Sequence, residues 1–452
     1  MKEEDLRSGP LLRVSRSPAL RGTASVPGDK SISHRALLFG ALADDTVEIS
    51  GLGVGGDNVS TMAALRALGV PIVQAGTEVR VQGVGLAGLQ EASSALDCGN
   101  SGTSMRLFCG LLAGRPFAST LTDDHSLSRR PMARVAAPLR LMGATVDGRQ
   151  DATRPGSLLP PLTVRGGALQ GIQYELPVAS AQIKSALILA GLQAQGRTVI
   201  SEPGLSRDHS ERMLRFLGAP VSAEPERRCV VVDPTGWNGR LRAGAVSVPG
   251  DLSSAAFLLV AALIVPESDV TVEKVGLNPT RTGVLDVLQA MGADLEIKVT
   301  GQAMGEPVGS VRARWTERRL RGTTVAGELA LRSIDEIPAL AVAAAMATGT
   351  TDFCDLQELR VKESDRIACI ARELRRAGVT VVEAADGFSV MGTGGRPLLG
   401  GRVQPDGDHR IAMAGAILGL VAVEATLVPS QDIATSFPSF AQLLQGLGAP
   451  VG

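Results

Sequence analysis

The segment LRFLGAPV, Leu214–Val221, contains the pattern that decides the fold of this chain. Its first residues form an apolar helical turn, Gly218 follows, and the residues after the glycine favour a strand. Glycine is the usual residue at the left-handed position that ends a helix, and branched residues favour strands. A single junction of this kind is common in α/β proteins, so its weight depends on whether it recurs.

The same junction occurs six times along the chain at nearly constant spacing. The copies are LRALGV (65–70), LRLMGATV (139–146), LRFLGAPV (214–221), LQAMGADL (288–295), LRRAGVTV (374–381) and LLQGLGAPV (443–451). Their glycines are separated by 74, 75, 74, 86 and 70 residues. Self-similarity at a fixed period predicts six structural units of about 75 residues in a layered α/β protein.

A second repeated phrase divides the six units into two groups of three. SVPGDKS (25–31) returns as SVPGDLS (247–253), 222 residues later, and each Pro-Gly pair is typical of a turn or hinge. The sequence therefore predicts two domains, one formed by residues 1–28 and 249–452 and the other by residues 29–248. A cleft between two such domains is the usual place for a ligand, so we expect the active site there.

The composition excludes several functional classes. The 452 residues are 44% apolar but only 3% aromatic, so base stacking cannot be the main binding mode. The net charge of −1 gives no overall field that would attract nucleic acid or a membrane surface. We expect a monomer with no nucleic-acid partner and no membrane partner.

Targeting and metal-binding patterns are not found in the sequence. The first ten residues, MKEEDLRSGP, are partly acidic and contain no apolar run, unlike a signal peptide. Five scattered Cys residues and four dispersed His residues form no metal-ligand spacing. We therefore expect a cytoplasmic protein with no metal and no cofactor.

Five segments in the first half of the chain concentrate cations and hydroxyl groups at expected helix starts or glycine-rich loops. They are GDKSISHR (28–35), CGNSGTSMR (98–106), HSLSRRPM (125–132), VASAQIKSALILAG (178–191) and SRDHSER (206–212). Such groups at helix N-termini bind anions, although each segment also has a plainer interpretation as surface charge, and Lys184 could simply be solvated. A nucleotide-binding P-loop is excluded because Asp29 precedes Lys30 where that loop has Gly.

Three segments in the second half add carboxylates. They are SIDEIPALAVAAA (333–345), LRVKESDR (359–366) and DGDHRIAMA (406–414). Asp335 and Glu336 precede an apolar helix, and we expect Lys362 and Arg366 on one helical face. Intrahelical ion pairs would explain LRVKESDR equally well, and a structural role is the plainer interpretation of His409. Together the segments predict a site that surrounds two multiply charged anions and performs acid–base chemistry.

In this order the motifs resemble those of the 3-phosphoshikimate 1-carboxyvinyltransferases, the EPSP synthase family. The resemblance covers about Ser25 to Phe440 and rests on GDKSxSHR, GNxGTxxR, RPM, SAQxKS, IDExP, RVKESDR and DHRxAM. It implies an inside-out α/β barrel fold in two domains, each with three βαβαββ units. It also implies transfer of the enolpyruvyl group of phosphoenolpyruvate to the 5-hydroxyl of shikimate 3-phosphate through a tetrahedral intermediate, with release of phosphate.

The resemblance also assigns roles to individual residues. Asp335 would accept the proton of the sugar hydroxyl, Glu363 would donate a proton to C3 of phosphoenolpyruvate, and Lys30 would contact both ligands as a third catalytic residue. The residues assigned to phosphoenolpyruvate are Lys30, Gly102, Arg130, Gln182, Arg366 and Arg410. The residues assigned to shikimate 3-phosphate are Lys30, Ser31, Arg35, Ser180, Gln182, Arg207, Asp335 and Lys362.

Three positions depart from the pattern of some relatives. Glu358 stands where some have Asn, Ala181 where many have a second Ser, and Thr435 where others offer a Lys to phosphoenolpyruvate. The last difference removes one expected contact but not the reaction. Gly102, rather than a bulkier residue, leaves room beside phosphoenolpyruvate, so we expect inhibition by glyphosate.

Other functional classes fit the sequence less well. The enolpyruvyl transferase that acts on UDP-N-acetylglucosamine uses a loop Cys as an acid, whereas HSLSRRPM has none and Cys98 and Cys109 lie in a different motif. An RNA 3′-phosphate cyclase shares a related repeat, but the near-neutral charge and scarce aromatics argue against it. A non-catalytic anion-binding protein would explain the cations but has no need of Asp335 and Glu363.

Overall fold

The chain forms two compact units in a computed structural model, which describes residues 9–124, 127–151 and 156–452. The first unit consists of Met1–Pro27, Gly250–Gly301 and Pro307–Gly452, and the second consists of Gly28–Pro249 and Gln302–Glu306. Each unit has its own hydrophobic core.

Residues 302–306 belong to the second unit, although the sequence prediction places them in the other domain. Met304 is buried in the hydrophobic core of the second unit. Oε1 of Glu306 lies 2.8 Å from Nδ1 of His209, and both side chains are buried. These tertiary contacts explain the assignment, and the repeat pattern does not encode them.

Helices and strands alternate along the described residues. The helices are α1 (Lys30–Ala41), α2 (Gly56–Ala67), α3 (Gly102–Leu112), α4 (Ala133–Leu141), α5 (Ala181–Gly191), α6 (His209–Phe216), α7 (Leu252–Ile264), α8 (Gly283–Ala290), α9 (Gly327–Arg332), α10 (Ile337–Met346), α11 (Arg366–Arg376), α12 (His409–Gly419), α13 (Ser430–Ala434) and α14 (Phe440–Gly446). Single 3₁₀ turns occupy Leu127–Arg129, Pro225–Arg227 and Gln357–Val361.

The strands are short, and most are amphipathic. They are β1 (Leu11–Val14), β2 (Arg21–Ser25), β3 (Thr46–Ser50), β4 (Ile72–Ala75), β5 (Glu78–Gln82), β6 (Leu96–Asp97), β7 (Ala118–Thr122), β8 (Thr145–Gln150), β9 (Leu158–Arg165), β10 (Gln173–Glu175), β11 (Thr198–Ser201), β12 (Val221–Glu224), β13 (Cys229–Val232), β14 (Gly244–Ser247), β15 (Asp269–Gly276), β16 (Asp294–Ala303), β17 (Glu306–Arg314), β18 (Thr324–Val325), β19 (Thr350–Phe353), β20 (Thr380–Ala384), β21 (Gly387–Met391), β22 (Gly401–Arg402) and β23 (Thr426–Pro429).

The described strands form five four-stranded sheets and one three-stranded sheet. The strand orders are β14-β3-β5-β4, β6-β7-β9-β8, β10-β11-β13-β12, β2-β15-β17-β16, β18-β19-β21-β20 and β1-β23-β22. Each of the four-stranded sheets contains one parallel pair, for example β10 with β11, followed by an antiparallel neighbour, here β13. The mixed α/β class is therefore confirmed. The predicted barrel is wrong, because each sheet is open and has too few strands to close on itself.

Helices that are apolar on every side fill the interior of each unit. In the first unit every residue of α7, α10 and α12 is buried, and these three helices pack against one another. In the second unit α3 packs against α5 and also contacts α1. A helix without a polar face is stable only inside a core. The N-terminus of such a helix is where polar residues can reach the surface. Several predicted site residues lie at or directly before these ends, namely Gly102, Ser180, Gln182, Asp335 and Arg410.

Membrane insertion of a helix is not indicated by the structure. Within the residues described, no helix combines the length and the apolar character that crossing a bilayer requires.

Candidate active site

The N-terminus of α1 carries a partly exposed cation. Asp29 caps the helix, since its carboxylate accepts a hydrogen bond from the N–H of Ile32 at 2.9 Å. Lys30 is the first helical residue, and its Nζ lies 3.0 Å from Oδ2 of Asp57. The Lys30 side chain is 23% exposed, so its ammonium group is both held by Asp57 and accessible at the positive end of the helix.

Arg35 is buried one helical turn beyond Ser31. Its Nε donates to Oγ of Ser210 at 2.8 Å, and one terminal nitrogen donates to Oγ of Ser185 at 2.7 Å. The other terminal nitrogen donates to the carbonyl of Ser31 at 2.9 Å. Burial lowers the pKa of Arg35 to about 10, and the charge of half-buried Arg207 adds to this effect. Arg35 therefore stays charged at neutral pH and holds the backbone of Ser31.

Two arginines flank the start of α3. Arg130 donates to Oδ1 of Asn100 at 3.0 Å. Arg106 donates to the carbonyl of Gly102 at 3.0 Å and to Oε1 of Gln182 at 2.8 Å. The structure thus brings together three residues predicted for phosphoenolpyruvate, Gly102, Arg130 and Gln182. Arg106 was assigned no role from the sequence, although its place four residues after Gly102 on one helical face could have indicated it.

Ser180 and Gln182 lie at the start of α5. Ser180 is the N-cap residue, and Nε2 of Gln182 donates to Oγ1 of Thr103 at 2.8 Å. With the Arg106 contact, both ends of the Gln182 amide are held by α3. His125 and Ser126, which open the predicted loop HSLSRRPM, lie outside the described residues.

Lys184 is a buried structural cation, so the interpretation of a solvated lysine is wrong. Its side chain is 2% exposed and its Nζ lies 2.7 Å from Glu202 and 2.8 Å from Glu211. Burial on its own lowers the pKa of Lys184, but the two carboxylates outweigh it and the net pKa is raised. The group stays charged because the acidic partners replace its hydration.

Lys184→Met should destabilise the protein by about 3–5 kcal/mol, because Glu202 and Glu211 would be left buried without a counter-charge. Urea unfolding measured at neutral pH checks this value. Arg80→Met removes a cation from an exposed pair with Glu48 in the same unit and should cost less than about 1 kcal/mol. Equal losses in the two variants would contradict the buried pairing.

Arg366 is the centre of a charge cluster in the first unit. It begins α11, is 1% exposed, and lies 2.7 Å from Asp408, 3.2 Å from Asp335 and 2.5 Å from Glu363. Burial alone would lower the pKa of Arg366, but the three carboxylates raise it well above the usual value. One guanidinium therefore fixes three carboxylates that are distant from one another in sequence.

Asp408 anchors this cluster to the core. It caps α12 by accepting from the N–H of Arg410 at 2.9 Å, and it accepts from Oγ of Ser364 at 3.1 Å. Burial raises the pKa of Asp408, but the charge and hydrogen bond of Arg366 together with the charge of His409 outweigh it, and the net pKa is lowered. Asp408 was assigned no role from the sequence, although an Asp directly before an apolar helix is typical of an N-cap.

Asp335 and Glu336 are neighbours with different surroundings. Oδ1 of Asp335 lies 3.6 Å from Nζ of Lys362, and its carbonyl accepts from Arg410 at 2.9 Å. Glu336 is fully buried and accepts a hydrogen bond from the hydroxyl of Ser253. Its carboxylate lies 3.6 Å from the guanidinium of buried Arg281. Asp335 therefore belongs to the Arg366 cluster, whereas Glu336 belongs to a separate buried network.

The local structure around Lys362 differs from the prediction of one helical face. A 3₁₀ turn covers Gln357–Val361, and α11 begins only at Arg366, so Lys362 precedes the helix. Asp335 joins the two cations instead, since it contacts both. Thr435 directly follows α13, and its hydroxyl donates to the carbonyl of Gln431 at 3.4 Å.

No metal centre is found among the residues that the structure describes, in the sense that no three or more His, Cys, Asp or Glu side chains converge suitably for a cation. The two polar clusters contain mainly cations and hydroxyl groups in the second unit, and cations with carboxylates in the first. They can bind anions and exchange protons.

Comparison with known proteins identifies the chain's relatives. The family model described as EPSP synthase (3-phosphoshikimate 1-carboxyvinyltransferase) matches residues 14–444. The chain belongs to the EPSP synthase family. This confirms the resemblance carried by the sequence motifs.

Individual members of the EPSP synthase family match this chain over nearly their whole lengths. A 3-phosphoshikimate 1-carboxyvinyltransferase of Synechococcus sp. (strain JA-3-3Ab) is 53% identical over 448 residues, 98% of each chain. One of Geobacter sp. (strain M21) is 50% identical and covers 96% of this chain and 98% of its own. The solved EPSP synthase of Acinetobacter baumannii is 42% identical, with a TM-score of 0.86 over 98% of this chain and 99% of its own. The predictions of a transferase of this family are confirmed.

Proposed function

We propose that the chain transfers the enolpyruvyl group of phosphoenolpyruvate to the 5-hydroxyl of shikimate 3-phosphate, using the two polar clusters described above. The observation that supports this most strongly is the contact of Arg366 with both Asp335 and Glu363, at 3.2 Å and 2.5 Å. The reaction needs one group that accepts a proton and one that donates a proton. The Arg366 cluster supplies two carboxylates that a single guanidinium holds in place.

The proposed steps balance in protons and bonds. Asp335 accepts the proton of the sugar hydroxyl while the hydroxyl oxygen bonds to C2 of phosphoenolpyruvate. Glu363 donates a proton to C3. The product of this addition is a tetrahedral intermediate with a new methyl group. The C2–O bond to phosphate then breaks and phosphate leaves. The Glu363 carboxylate, which gave up its proton in the addition, takes a proton from the methyl group and so restores the double bond of the enolpyruvyl ether.

The remaining predicted contacts are proposed to bind the ligands as anions. Phosphoenolpyruvate would contact Lys30, Gly102, Arg130, Gln182, Arg366 and Arg410. Shikimate 3-phosphate would contact Lys30, Ser31, Arg35, Ser180, Gln182, Arg207, Asp335 and Lys362. Guanidinium groups suit both ligands, since their fork binds two oxygens of a carboxylate or phosphate together.

The arrangement of the repeat units and of the two domains is also proposed. We propose six βαβαββ units in two domains with the substrates bound between them, as the sequence repeats and the family predict. A monomeric state and a cytoplasmic location stay predictions.

Identification of the product tests the proposed reaction. The purified protein is incubated with phosphoenolpyruvate and either shikimate 3-phosphate or UDP-N-acetylglucosamine, and the products are followed by ³¹P NMR. We expect free phosphate and an enolpyruvyl ether only with shikimate 3-phosphate. Turnover with UDP-N-acetylglucosamine would favour the other enolpyruvyl transferase, and binding of both anions without turnover would favour an anion-binding protein.

Gly102→Ala should weaken phosphoenolpyruvate binding and glyphosate inhibition. A Cβ atom at Gly102 would lie 2.6 Å from the guanidinium of Arg106 and 3.3 Å from that of Arg130, so both must shift. We expect KM for phosphoenolpyruvate to rise roughly ten- to a hundredfold and glyphosate inhibition to fall with it. Steady-state kinetics with glyphosate titrations provide the measurement.

Gly56→Ala is the matched control for this substitution, because a Cβ at Gly56 meets nothing within 4 Å. Both glycines are the first residues of helices in the second unit, so the backbone change is comparable. Unchanged glyphosate inhibition in Gly102→Ala would contradict the placement of this glycine at the phosphoenolpyruvate site.

A further inference from the structure

A chain of hydrogen bonds runs through the buried interior of the second unit. Nδ1 of His34 lies 2.7 Å from Oγ1 of Thr61, which lies 2.6 Å from Oγ of Ser104. Oγ of Ser104 lies 2.7 Å from Oγ of Ser101. All four side chains are at most 1% exposed, so bulk water does not compete for these bonds. None of the four is among the residues assigned to either ligand.

The direction of the donors along this chain follows from its acceptor end. Oγ of Ser101 accepts from both the N–H and the hydroxyl of Ser104, at 3.0 Å and 2.7 Å. Since Ser104 gives its proton to Ser101, its oxygen accepts from Thr61. Thr61 then accepts from His34, so the imidazole carries its proton on Nδ1. The only other acceptor that the structure records for the Thr61 hydroxyl among described residues is the carbonyl of Asp57, at the longer distance of 3.4 Å.

His34 is a neutral donor under assay conditions. Burial lowers the pKa of His34 to about 3, which outweighs the opposing attraction of Asp57. Nε2 of the same ring is buried and has no hydrogen-bond partner among the residues that the structure describes. The ring therefore makes one directed hydrogen bond through Nδ1, and the chain of hydrogen bonds to Ser101 depends on that atom.

The hydrogen-bond chain links three helices whose first turns carry predicted ligand contacts or their supports. His34 lies in α1, which begins with Lys30, and Thr61 lies in α2, whose first turn holds Asp57 against Lys30. Ser101 is the N-cap of α3, which begins with Gly102. A displacement of Ser101 would therefore move the glycine relative to the lysine.

We propose that His34 is a positioning residue for phosphoenolpyruvate binding, acting through Thr61 and Ser104 on the N-cap Ser101. His34 does not touch the substrate. It fixes the start of α3, where Gly102 lies, relative to the start of α1, where Lys30 lies. This inference rests on the proposed function, because it uses the assignment of Gly102 and Lys30 to phosphoenolpyruvate.

Three substitutions separate this role from general core packing. Thr61→Val keeps the shape of the side chain and removes the hydroxyl. His34→Leu removes the donor, whereas His34→Asn places an amide nitrogen close to the position of Nδ1 and keeps the donor. Thr61→Val also serves if His34→Leu fails to fold.

We expect KM for phosphoenolpyruvate to change while KM for shikimate 3-phosphate stays nearly constant. KM for phosphoenolpyruvate should rise roughly tenfold in Thr61→Val and His34→Leu, as expected for the loss of about one buried hydrogen bond. KM for shikimate 3-phosphate should change less than about twofold, and His34→Asn should return KM for phosphoenolpyruvate to within about twofold of wild type. Adding Ser104→Ala to Thr61→Val should give no further rise, since both break the same chain.

Three results would overturn the inference. They are an equal rise of both KM values, a lowered melting temperature with both KM values unchanged, and a His34→Asn variant as impaired as His34→Leu. Arg130→Gln tests the underlying assignment separately. If Arg130→Gln raises KM for phosphoenolpyruvate but Thr61→Val does not, the positioning role alone fails. If wild-type protein shows no release of phosphate that depends on shikimate 3-phosphate, the proposed function fails and the inference fails with it.

Discussion

Asp335→Asn should lower kcat by about 10³-fold while both ligands still bind, because general-base catalysis by one side chain contributes on this scale. The amide keeps the size of the carboxylate and can still contact Arg366 and Lys362, which lie 3.2 Å and 3.6 Å from Oδ1 in the native protein. It cannot accept the proton of the sugar hydroxyl. The addition step is therefore lost, whereas the cations that attract the ligands remain.

Steady-state kinetics and calorimetric titration with both ligands measure these two effects separately. Asp294→Asn is the matched control, since Asp294 lies in the same unit in a partly exposed pair with Arg314 at 2.9 Å. This control should keep kcat within about twofold, as expected for a surface pair worth at most about 1 kcal/mol. A full loss of binding in Asp335→Asn, or a kcat close to wild type, would contradict the assigned role.

Arg366→Met should abolish measurable turnover and destabilise the protein by about 3–5 kcal/mol, because it leaves three carboxylates without their shared counter-charge. Asp408 is the most affected of the three, since it is fully buried and lies 2.7 Å from Nε of Arg366. Asp335 and Glu363 would also lose the group that fixes their positions. The variant thus tests whether one guanidinium organises the cluster.

The stability deficit of Arg366→Met should depend on pH. In the native protein the pKa of Asp408 lies below its unfolded value, because the charge and hydrogen bond of Arg366 together with the charge of His409 outweigh burial. Asp408 therefore stabilises the fold above about pH 4 and loses this effect below it. Without Arg366, burial and nearby Glu363 raise the pKa of Asp408 above the unfolded value. The deficit should therefore be largest near pH 8 and shrink as pH falls towards about 5.

Urea unfolding of Arg366→Met and wild type across this pH range provides the measurement. Arg314→Met is the control, because it removes an arginine of the same unit that pairs with Asp294 near the surface. It should leave the stability nearly unchanged at every pH, because exposed ion pairs contribute little. A deficit in Arg366→Met that is small, or constant between pH 8 and pH 5, would contradict the coupling of Arg366 to buried Asp408.

Much of the helix and strand pattern could be predicted from the sequence, because it depends on local chemistry. Gly218, for example, has a φ of +85° two residues after the end of α6, and Val221 begins β12, as the repeated junction indicates. The closure of the sheets could not be predicted in the same way. Whether edge strands pair depends on hydrogen bonds between distant segments, and the structure leaves each sheet open.

The charge clusters also combine features that the local sequence predicts with features that depend on segments distant in the chain. Asp335 and Arg410 could be selected as charged residues at the starts of apolar helices, and Lys362, Glu363 and Arg366 as neighbouring charges in LRVKESDR. The structure places all five in one cluster. Their arrangement around a single arginine could not be predicted, since it requires packing of helix starts that are far apart in sequence.

Lys184 is a residue for which the sequence prediction was wrong. Its apolar surroundings in VASAQIKSALILAG indicate burial, but its partners Glu202 and Glu211 lie 18 and 27 residues further along the chain. Without these partners in view, solvation is the more economical interpretation of a lone lysine, because burying an unpaired charge is costly. Only the folded chain brings the three charges together.

The central claim is that the protein consumes phosphoenolpyruvate in a reaction that requires shikimate 3-phosphate. The most direct test measures release of phosphate from phosphoenolpyruvate by the purified protein, with and without shikimate 3-phosphate, in the presence of EDTA. We predict release that requires shikimate 3-phosphate, is insensitive to EDTA and is lost in Asp335→Asn. Release without shikimate 3-phosphate, or no release unless UDP-N-acetylglucosamine replaces it, would contradict the account.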